Sequence, residues 1–360
     1  MKLKIITITQ SSLTSAQNIR ADLMLEAFRA DKSISVKYCP LILDSFKKTN
    51  IVERVVNKFK LISKALILAL SVRKDEVIYV YGDIPTLIFS LVTKRAKKVV
   101  YERTEYPNQV LSAGKEIYVK ELKKIRNIDG FITCSEALSK YYRQYFNHDK
   151  VFDSYYPVNV DVFDIVNKVK MSQRQDYIAY AGFMGGNKDG LTDLIKTFSK
   201  IDNKSIVLKL AGSGPEEEVK ALKALIFELG LERRVQFLGS LKRAEIPEFF
   251  CKAKLCVLQR PSNIQAKGGM PSKLLEYIAS GTPTIVTNVG EIRHYFKDKI
   301  DCIIVEPDSR KKFCDAINDT LDNYSDALLV AEQGRKTIKE HDYLLQSAKL
   351  IQFLKVINES

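Results

Sequence analysis

The sequence predicts an α/β protein with two domains, each built on a parallel sheet covered by helices. The chain has 360 residues, more than a single hydrophobic core usually serves. In both halves, short apolar runs rich in β-branched residues alternate with amphipathic helical patterns, which is typical of parallel sheets buried on both faces. A polar stretch without apolar periodicity ends the first half, so we place an interdomain linker within residues 160–176.

The first domain is predicted over residues 1–165. Its strands are expected at 2–8, 77–81, 98–102 and 130–134. Its helices are expected at 19–28, 55–70 and 118–125. The helix at 55–70 is both apolar and basic, a pattern shared by helices that cover a sheet and by helices that lie on a membrane. We favour packing against the sheet.

The second domain is predicted over residues 175–340 and repeats the scheme. Its strands are expected at 177–181, 205–211, 235–239, 254–258, 282–287 and 302–305. One helix is indicated by an apolar stripe of helical spacing, formed by Leu191, Leu194, Ile195 and Phe198. Another begins after Pro215 with three glutamates and ends at Gly230. A last helix, within 341–360, is expected to pack across the lobes.

Composition indicates a soluble cytoplasmic protein. Hydrophobic residues make up 46% and charged residues 28% of the chain, the balance of a globular domain. Six scattered cysteines without a CxxC pair suit a reducing compartment. The N-terminal apolar run is too short for a secretion signal, and the most apolar stretch, 61–72, is too short to span a bilayer.

The net charge of +14 calls for an anionic partner or a solvated basic surface. Nucleic acid is disfavoured because no nucleic-acid-binding motif is present and tryptophan is absent. An anionic membrane surface and a phosphate-rich substrate remain, and the basic clusters fall mostly in the first half. Simple solvation explains them equally well.

The segment 260–291 is the most informative in the chain. In it, Gly268 and Gly269 precede a helix that begins after Pro271 and ends at Gly281. Backbone N–H groups at such a helix start attract anions, and the helix dipole adds to the attraction. The segment therefore predicts a phosphate-binding turn.

The two faces of this helix differ. Its core face is predicted to consist of Leu274, Leu275, Ile278 and Ala279. The other face presents Lys273, Glu276, Tyr277 and Ser280. Lys273 lies in the first turn, where the dipole disfavours a cation unless an anion is bound beside it. Glu276, one turn deeper, is placed to accept hydrogen bonds from ribose hydroxyls.

Each of these residues also has an ordinary structural interpretation. Glu276 could pair with Lys273 or Ser280 on a solvated face, but we favour ligand binding because the glycine turn and Lys273 point to the same role. The GSG at 212–214 predicts a tight turn rather than a dinucleotide fingerprint. Since neither a paired acidic motif nor a Cys/His cluster has metal-ligand spacing, we predict that no metal is required.

Several motifs together resemble one family. The sequence PSKLLEYIASGTPTIVTNVGE resembles the donor-binding signature of the retaining family 4 glycosyltransferases (glycosyl transferases group 1), and LQRPSNIQAKGGM resembles a bacterial subgroup. YAGFMGGNKDGLTDLIKTF is similar to the strand–loop–helix that faces the donor diphosphate, and LAGSGPEEEVKAL and VQFLGSLKRAEIPEFF follow in the family's order. YERTEYP and GFITCSEALSKYY match weaker patterns of the first lobe.

The resemblance implies the GT-B fold, in which two Rossmann-like lobes face each other across a cleft, with the acceptor on the first. It implies transfer of a sugar, with retention, from a UDP- or GDP-sugar to a glycan or lipid-linked acceptor in bacterial envelope polysaccharide synthesis, without a further cofactor. Glu276 would hold the donor ribose and Lys188 would lie beside the diphosphate. An ordinary loop lysine is the alternative for Lys188, and we favour the ligand role. The other donor-binding residues implied are Gly182, Arg260, Gly268, Gly269, Met270, Lys273 and Leu274. The catalytic candidates are Lys188, Glu102 and Glu105.

Three departures from the family pattern are visible. Gly268 stands where many members carry a glutamate, and Phe183 stands where many carry an arginine, a charge that Arg260 could replace. The first lobe lacks the usual acceptor-side histidine in YERTEYP, so Glu102, Arg103 or Glu105 would take its role. An inactive scaffold of the same fold is thus one alternative. A nucleotide-sugar epimerase is another, although only three histidines are present. An exported two-lobed binding protein is disfavoured because no signal peptide is recognised.

Overall fold

The computed structural model describes residues 1–10, 16–43, 51–146, 148–154, 156–163 and 173–360. The chain divides into two compact units, the first comprising Met1–Pro157 with Tyr343–Ser360 and the second Val158–Asp342. Each unit holds one six-stranded sheet in which all neighbouring strands are parallel. Most of the predicted linker lies outside the described residues.

The sheet of the first unit has the order β2-β1-β3-β4-β5-β6. Its strands are β1 (Lys2–Gln10), β2 (Ser35–Leu43), β3 (Val77–Tyr81), β4 (Lys98–Arg103), β5 (Gly130–Thr133) and β6 (Val151–Asp153). All four predicted strands are confirmed, whereas β2 and β6 were not predicted. Both lie at sheet edges, where strands need not be continuously apolar; β2 even contains Pro40, which only an edge strand tolerates well.

Helices cover this sheet. They are α1 (Ala16–Ala30), α2 (Ile51–Leu70), α3 (Thr86–Arg95), α4 (Asn108–Ala113), α5 (Glu136–Arg143) and the last helix of the chain, α14 (Tyr343–Glu359). The helix predicted at 118–125 is a 3-10 helix, Lys120–Asn127. Helix α14 buries Leu350 and Leu354 in the same core cluster as Phe28 of α1. The C-terminal helix therefore belongs to the core of the first unit, and its packing across both lobes stays a prediction.

The apolar face of α2 does not pack against the sheet, contrary to the expectation from sequence. Its buried positions include the small residues Ala65 and Ala69. Seven larger apolar side chains are instead exposed, namely Val55, Val56, Phe59, Ile62, Leu66, Ile67 and Leu70. The preference was wrong because an amphipathic pattern does not say which side of the helix meets the protein. Within the described residues, none of the helices is long and apolar enough to cross a membrane.

The sheet of the second unit has the order β12-β11-β10-β7-β8-β9. Its strands are β7 (Gln175–Ala181), β8 (Val207–Ala211), β9 (Val235–Gly239), β10 (Ala253–Leu258), β11 (Thr284–Thr287) and β12 (Ile303–Val305). All six predicted strands are confirmed, with ends shifted by up to two residues. The carboxyl ends of parallel strands meet at one edge of a sheet, where α/β proteins place their ligands.

The helices of the second unit are α6 (Leu191–Phe198), α7 (Glu216–Glu228), α8 (Ile246–Cys251), α9 (Ile264–Lys267), α10 (Ser272–Ala279), α11 (Ile292–Tyr295), α12 (Arg310–Asp322) and α13 (Tyr324–Thr337). The predicted start of α7 after Pro215 is confirmed, and Gly230 follows its end with φ +64°. The predicted limits of α10, at Pro271 and Gly281, are confirmed as well. Left-handed backbone of this kind favours glycine after a helix.

Candidate donor site in the second unit

The loop that joins β7 to α6 is built on close backbone approaches. A β carbon at Gly182 would collide with Nζ of Lys273 and lie 2.7 Å from Oη of Tyr180. Gly190, at the end of the loop, has φ +65°, and a β carbon there would collide with the carbonyl oxygen of Gln259. At Gly190, both the left-handed backbone and the contact with the Gln259 backbone require glycine, so the end of the loop is held against the residue that follows β10.

A buried carboxylate at the end of this loop holds two cations. Asp189 is 6% exposed. It accepts a hydrogen bond from Nε of Arg260 at 2.9 Å and from Oη of Tyr180 at 2.9 Å, and it pairs with Nζ of Lys273. Burial alone would raise the pKa of Asp189, but Lys273 and Arg260 outweigh it and hold the pKa well below its ordinary value. Asp189 is therefore ionised and anchors both cations.

Lys273 lies in the first turn of α10, as predicted, with a neighbour that the sequence did not reveal. Its Nζ contacts Asp189 and donates to Oη of Tyr180 at 3.2 Å. Burial lowers the pKa of Lys273, while Asp189 opposes this effect. The anion expected beside Lys273 is thus already supplied by a protein carboxylate, which relieves the conflict with the helix dipole without a phosphate.

Glu276 lies one turn further along α10 and keeps part of its surface open. Its Oε1 accepts a hydrogen bond from Nη1 of Arg243, which belongs to a 3-10 helix after β9. The Glu276 side chain is 15% exposed and that of Arg243 is 41% exposed. Solvent reaches the Arg243 side of this pair and screens it, so the pair is weaker than a fully buried one. A ligand hydroxyl can therefore displace Arg243 at small cost.

The face of α10 opposite the predicted core face is not open along its whole length, contrary to the expectation from sequence. Tyr277 and Ser280 are buried. The Oη of Tyr277 accepts a hydrogen bond from the backbone N–H of Ala181 at 3.3 Å, and Oγ of Ser280 donates to the backbone oxygen of Tyr277 at 2.6 Å. Helix α10 is thus packed on both sides, because it is covered by neighbouring elements as well as by its own sheet.

The glycine turn before α10 is only partly as predicted. The N–H of Gly268 is not free for an anion, because it donates to the carbonyl oxygen of Ile264 at 3.1 Å at the end of α9. The backbone oxygen of Gly269 lies against Gly290, where a β carbon would collide with it. These contacts fix the turn in position.

Two residues that the family resemblance places at the donor, Met270 and Leu274, have buried side chains. Leu274 is 0% exposed and Met270 is 4% exposed. The buried side chain of Leu274 confirms its predicted place on the core face of α10, and the donor contacts expected of Leu274 and Met270 stay a prediction. The rest of this face is confirmed as well, with Leu275, Ile278 and Ala279 buried.

The two remaining cations of the site differ in role. Arg260 is 4% exposed and paired with Asp189, and its backbone oxygen accepts a hydrogen bond from Oγ1 of Thr287 at 2.8 Å. Lys188 is half-buried, next to Asp189 in sequence, and its charge lowers the pKa of Lys273. Phe183, in the place of the arginine typical of the family, is 61% exposed. Arg260 therefore supplies a positive charge near the loop, but this charge is already paired with Asp189.

The acidic candidates of the first unit are in different environments. Glu102 is 0% exposed. It accepts a hydrogen bond from Nε of Arg20 at 2.6 Å and another from Oη of Tyr79. Glu105 is exposed, and its backbone oxygen accepts a hydrogen bond from Oη of Tyr142 at 2.9 Å. The buried contacts of Glu102 favour a structural role over the catalytic role expected from sequence, which leaves Glu105 as the reachable carboxylate.

Three residues of the candidate site were missed by the sequence analysis, namely Asp189, Tyr180 and Arg243. Their signals were weak, because Asp189 lies among loop glycines, Tyr180 lies inside an apolar strand, and Arg243 lies in a polar turn. Among the described residues, clusters of three or more His, Cys, Asp or Glu side chains suited to a metal ion were not found. The independence from metal stays a prediction.

Comparison with known proteins identifies the second unit. Residues 175–323 match the family model of the glycosyl transferases group 1. Within the second unit, these residues therefore resemble a glycosyl transferases group 1 domain. Over 222 residues, the chain is 26% identical to an uncharacterized glycosyltransferase of Methanocaldococcus jannaschii. That match spans 58% of this chain and 55% of the relative, so the chain aligns with about half of the relative's length.

Solved structures resemble the whole chain, beyond the group 1 domain. Sucrose-phosphate synthase from Thermosynechococcus elongatus superposes with a TM-score of 0.76 at 15% identity, covering 100% of both chains. Anabaena HepE in complex with UDP superposes with a TM-score of 0.70 at 14% identity, covering 98% of this chain and 100% of that one. A lipopolysaccharide outer core galactosyltransferase superposes with a TM-score of 0.67 at 15% identity, covering 99% of each chain. The predicted GT-B fold is confirmed.

Proposed function

We propose that the chain is a glycosyltransferase that moves a sugar from a UDP- or GDP-sugar to a glycan or lipid-linked acceptor, with retention at the anomeric carbon. The observation that carries the proposal is the partly open carboxylate of Glu276 on α10 of a group 1 domain, one turn from Lys273. Its displaceable partner, Arg243, leaves it available to ribose hydroxyls. Anabaena HepE, of the same fold, was solved with UDP and with UDP-glucose, which supports a nucleotide-sugar donor.

The diphosphate is the leaving group in this reaction, so stabilising its charge is the main task of the site. We assign that task to Lys188, which is half-buried in the β7–α6 loop, and to Lys273. Asp189 holds Lys273 from one side and thereby fixes its position before the donor arrives. A preorganised cation needs no rearrangement when charge develops on the leaving oxygen. Arg260, Gly182, Gly268 and Gly269 act by shaping this loop and turn.

The first unit is proposed to bind the acceptor. Glu105 is an exposed carboxylate of this unit and remains the candidate for a polar contact with the acceptor hydroxyl. The first unit carries 29 Lys and Arg against 17 Asp and Glu, a formal charge of +12, whereas the second carries 28 against 26. This asymmetry supports an anionic or lipid-linked acceptor and a cytoplasmic protein at the inner face of the membrane. Bacterial envelope polysaccharide synthesis is the process that we propose.

The proposal is tested by incubating the purified chain with a panel of UDP- and GDP-sugars and lipid-linked or glycan acceptors. Release of nucleoside diphosphate and the configuration of the new linkage are followed by NMR. We expect one donor to be consumed with retained configuration, and Glu276→Ala to lose activity at least about tenfold, or about 1.4 kcal/mol. The matched control is Glu217→Ala, an exposed glutamate at the start of α7.

Other outcomes would replace the proposal. An inverted linkage would refute retention, and isomerisation of the nucleotide sugar without transfer would identify an epimerase. Nucleotide binding without turnover with any acceptor would favour the inactive scaffold that Phe183 and Gly268 suggest.

A further inference from the structure

Helix α2 presents an apolar face that the fold leaves uncovered. The exposed fractions reach 71% for Phe59, 68% for Ile67 and 62% for Val55. At 100° per residue, the seven exposed apolar side chains of α2 span an arc of about 140°. The buried residues Ala65 and Ala69 lie on an adjoining side of the helix. Ser63 is the one polar residue within this arc. An apolar stripe of this width, on a helix that is not long and apolar enough to span a bilayer, suits a helix that lies in the membrane interface.

Basic side chains flank this stripe where lipid headgroups would meet it. Lys60 and Lys64 are exposed, and on a helical wheel they follow one edge of the apolar arc. Arg73 and Lys74, just beyond the end of α2, are exposed as well. Long lysine and arginine side chains at the margin of an apolar face place their charges at the level of the headgroups while their stems stay in the apolar layer.

A basic pocket adjoins the C-terminal end of α2. The cavity has a volume of about 620 Å³ and includes Leu70 in its lining. Its charged lining consists of Lys2, Lys4, Lys37, Arg73, Arg95 and one carboxylate, Glu76.

Within this pocket, the single carboxylate is already engaged. Nζ of Lys4 lies 2.8 Å from Oε2 of Glu76, and the Lys4 side chain is 1% exposed. Arg95 donates to the backbone oxygen of Leu70 at 3.1 Å, which ties the pocket to the end of α2. Lys37 and Arg73 are exposed at its rim. The pocket therefore presents surplus positive charge beside the last residue of the apolar stripe.

We propose that α2 docks the first unit on an anionic bilayer, with the Phe59–Ile67–Leu70 face in the acyl boundary and an anionic lipid headgroup in the pocket of Lys37 and Arg73. A second copy of the chain would be a poorer partner for this face. A symmetric contact would bring the same basic residues of two copies together, and repulsion between them would oppose it. The location of the surplus charge, +12 in the first unit, favours the lipid surface.

The sequence offers a clean probe, because the chain contains no tryptophan. In the variant Phe59→Trp, we expect a blue shift of the emission when vesicles of equal parts phosphatidylglycerol and phosphatidylcholine are added at physiological salt. The matched control is Phe227→Trp, since Phe227 is 74% exposed on α7 of the second unit. Vesicles of phosphatidylcholine alone should shift neither variant as much.

Binding is then measured by vesicle flotation of substituted proteins. Phe59→Ser with Ile67→Ser should reduce binding at least about tenfold, while Phe227→Ser should not. Lys37→Glu with Arg73→Glu should also reduce it at least about tenfold, while the same charge change at Lys311 and Lys312, exposed on α12, should have little effect. UDP and GDP affinity, measured on the same proteins, should be unchanged, so a failure of docking is distinguishable from a failure of the proposed transferase function.

Three results would overturn the inference. The first is an unshifted Phe59→Trp emission together with no flotation of the wild-type chain on anionic vesicles. The second is flotation that survives both double variants. The third is a concentration-dependent dimer that requires Phe59 and Ile67 and does not float, which would assign this face to a second copy of the chain.

Discussion

Arg243 donates a hydrogen bond to Glu276, so the carboxylate proposed to hold the donor ribose is occupied by a partly exposed cation before any ligand arrives. The pair costs little to separate, because 41% of the Arg243 side chain is in contact with solvent. We therefore expect Arg243→Gln to change nucleotide affinity by no more than about fivefold, the equivalent of about 1 kcal/mol. Isothermal titration with the preferred nucleoside diphosphate measures this, and a loss as large as that of Glu276→Ala would show that Arg243 itself binds the ligand.

The cations of the loop are predicted to recognise phosphate rather than the base. Lys188→Gln and Lys273→Met should each weaken binding of a nucleoside diphosphate at least about tenfold and binding of the nucleoside much less, because each loses one charge-assisted contact. The measurement is the affinity ratio between diphosphate and nucleoside in each variant. Equal losses for both ligands would contradict phosphate recognition and point to a distorted loop. Lys196→Gln, on α6, serves as the control.

Asp189 should control the stability of the second unit. Asp189→Asn removes the carboxylate from two buried cations, and breaking a buried pair in this way costs about 3–5 kcal/mol. Denaturant unfolding at neutral pH measures the free energy of unfolding, and Asp193→Asn, an exposed acid on α6, is the control. A cost below about 1 kcal/mol would mean that Arg260 and Lys273 find other partners.

The effect of Asp189→Asn on the free energy of unfolding should depend on pH. The pKa of Asp189 is lower in the folded chain than the ordinary value of about 3.9. Its ionised form therefore stabilises the fold at pH values above about 4, and this stabilisation is lost as the pH falls below that value. The difference in unfolding free energy between wild type and Asp189→Asn should shrink from about pH 6 to about pH 3. A difference that stays constant or grows on acidification would contradict this assignment.

Gly186 and Gly190 provide a matched pair in one loop. Both have positive φ, +61° and +65°, but a β carbon at Gly186 meets nothing within 4 Å, whereas one at Gly190 collides with the backbone of Gln259. Gly186→Ala should cost about 1–2 kcal/mol for the left-handed backbone alone. Gly190→Ala should cost clearly more and should also weaken nucleotide binding, since β10 and the loop must move apart. Equal costs in thermal unfolding would contradict the backbone contact.

Glu102 is predicted to stabilise the first unit rather than act in catalysis. Glu102→Gln leaves Arg20 buried without its charge partner, so we expect a loss of about 3–5 kcal/mol in unfolding free energy. At a temperature where the variant is folded, the turnover number should stay within about threefold of wild type, a difference below about 1 kcal/mol. A large loss of turnover in a protein of unchanged stability would restore the catalytic interpretation.

The sequence predicted the central strands well, because buried parallel strands are continuously apolar and their signal is local. The edge strand β2 escaped notice, since its exposed residues and Pro40 resemble a loop. The orientation of α2 was wrong for a related reason: periodicity shows that a helix has an apolar face but does not show what covers it. Among the described side chains of α2, the buried ones are the small Ala65 and Ala69.

Part of the candidate site was likewise predicted from the sequence, and part was missed. Glu276 and Lys273 were found because a glycine turn before a helix is a local pattern. Asp189 was not found, because its pairing with Arg260 joins residues 71 positions apart and depends on the fold. Tyr277 was expected on the open face of α10 but is buried, because elements distant in sequence pack on that face as well. The sequence did not reveal which charged residues, distant along the chain, are buried together.

The most direct test of the central claim is calorimetric titration of the wild-type chain and of Glu276→Ala with UDP, GDP, ADP and CDP, each with and without EDTA. We predict that UDP or GDP binds the wild type, that EDTA does not change its affinity, and that Glu276→Ala weakens binding at least about tenfold, or about 1.4 kcal/mol. If none of the four nucleotides binds the folded wild-type chain, or if Glu276→Ala binds as tightly as wild type, the proposed donor site is contradicted.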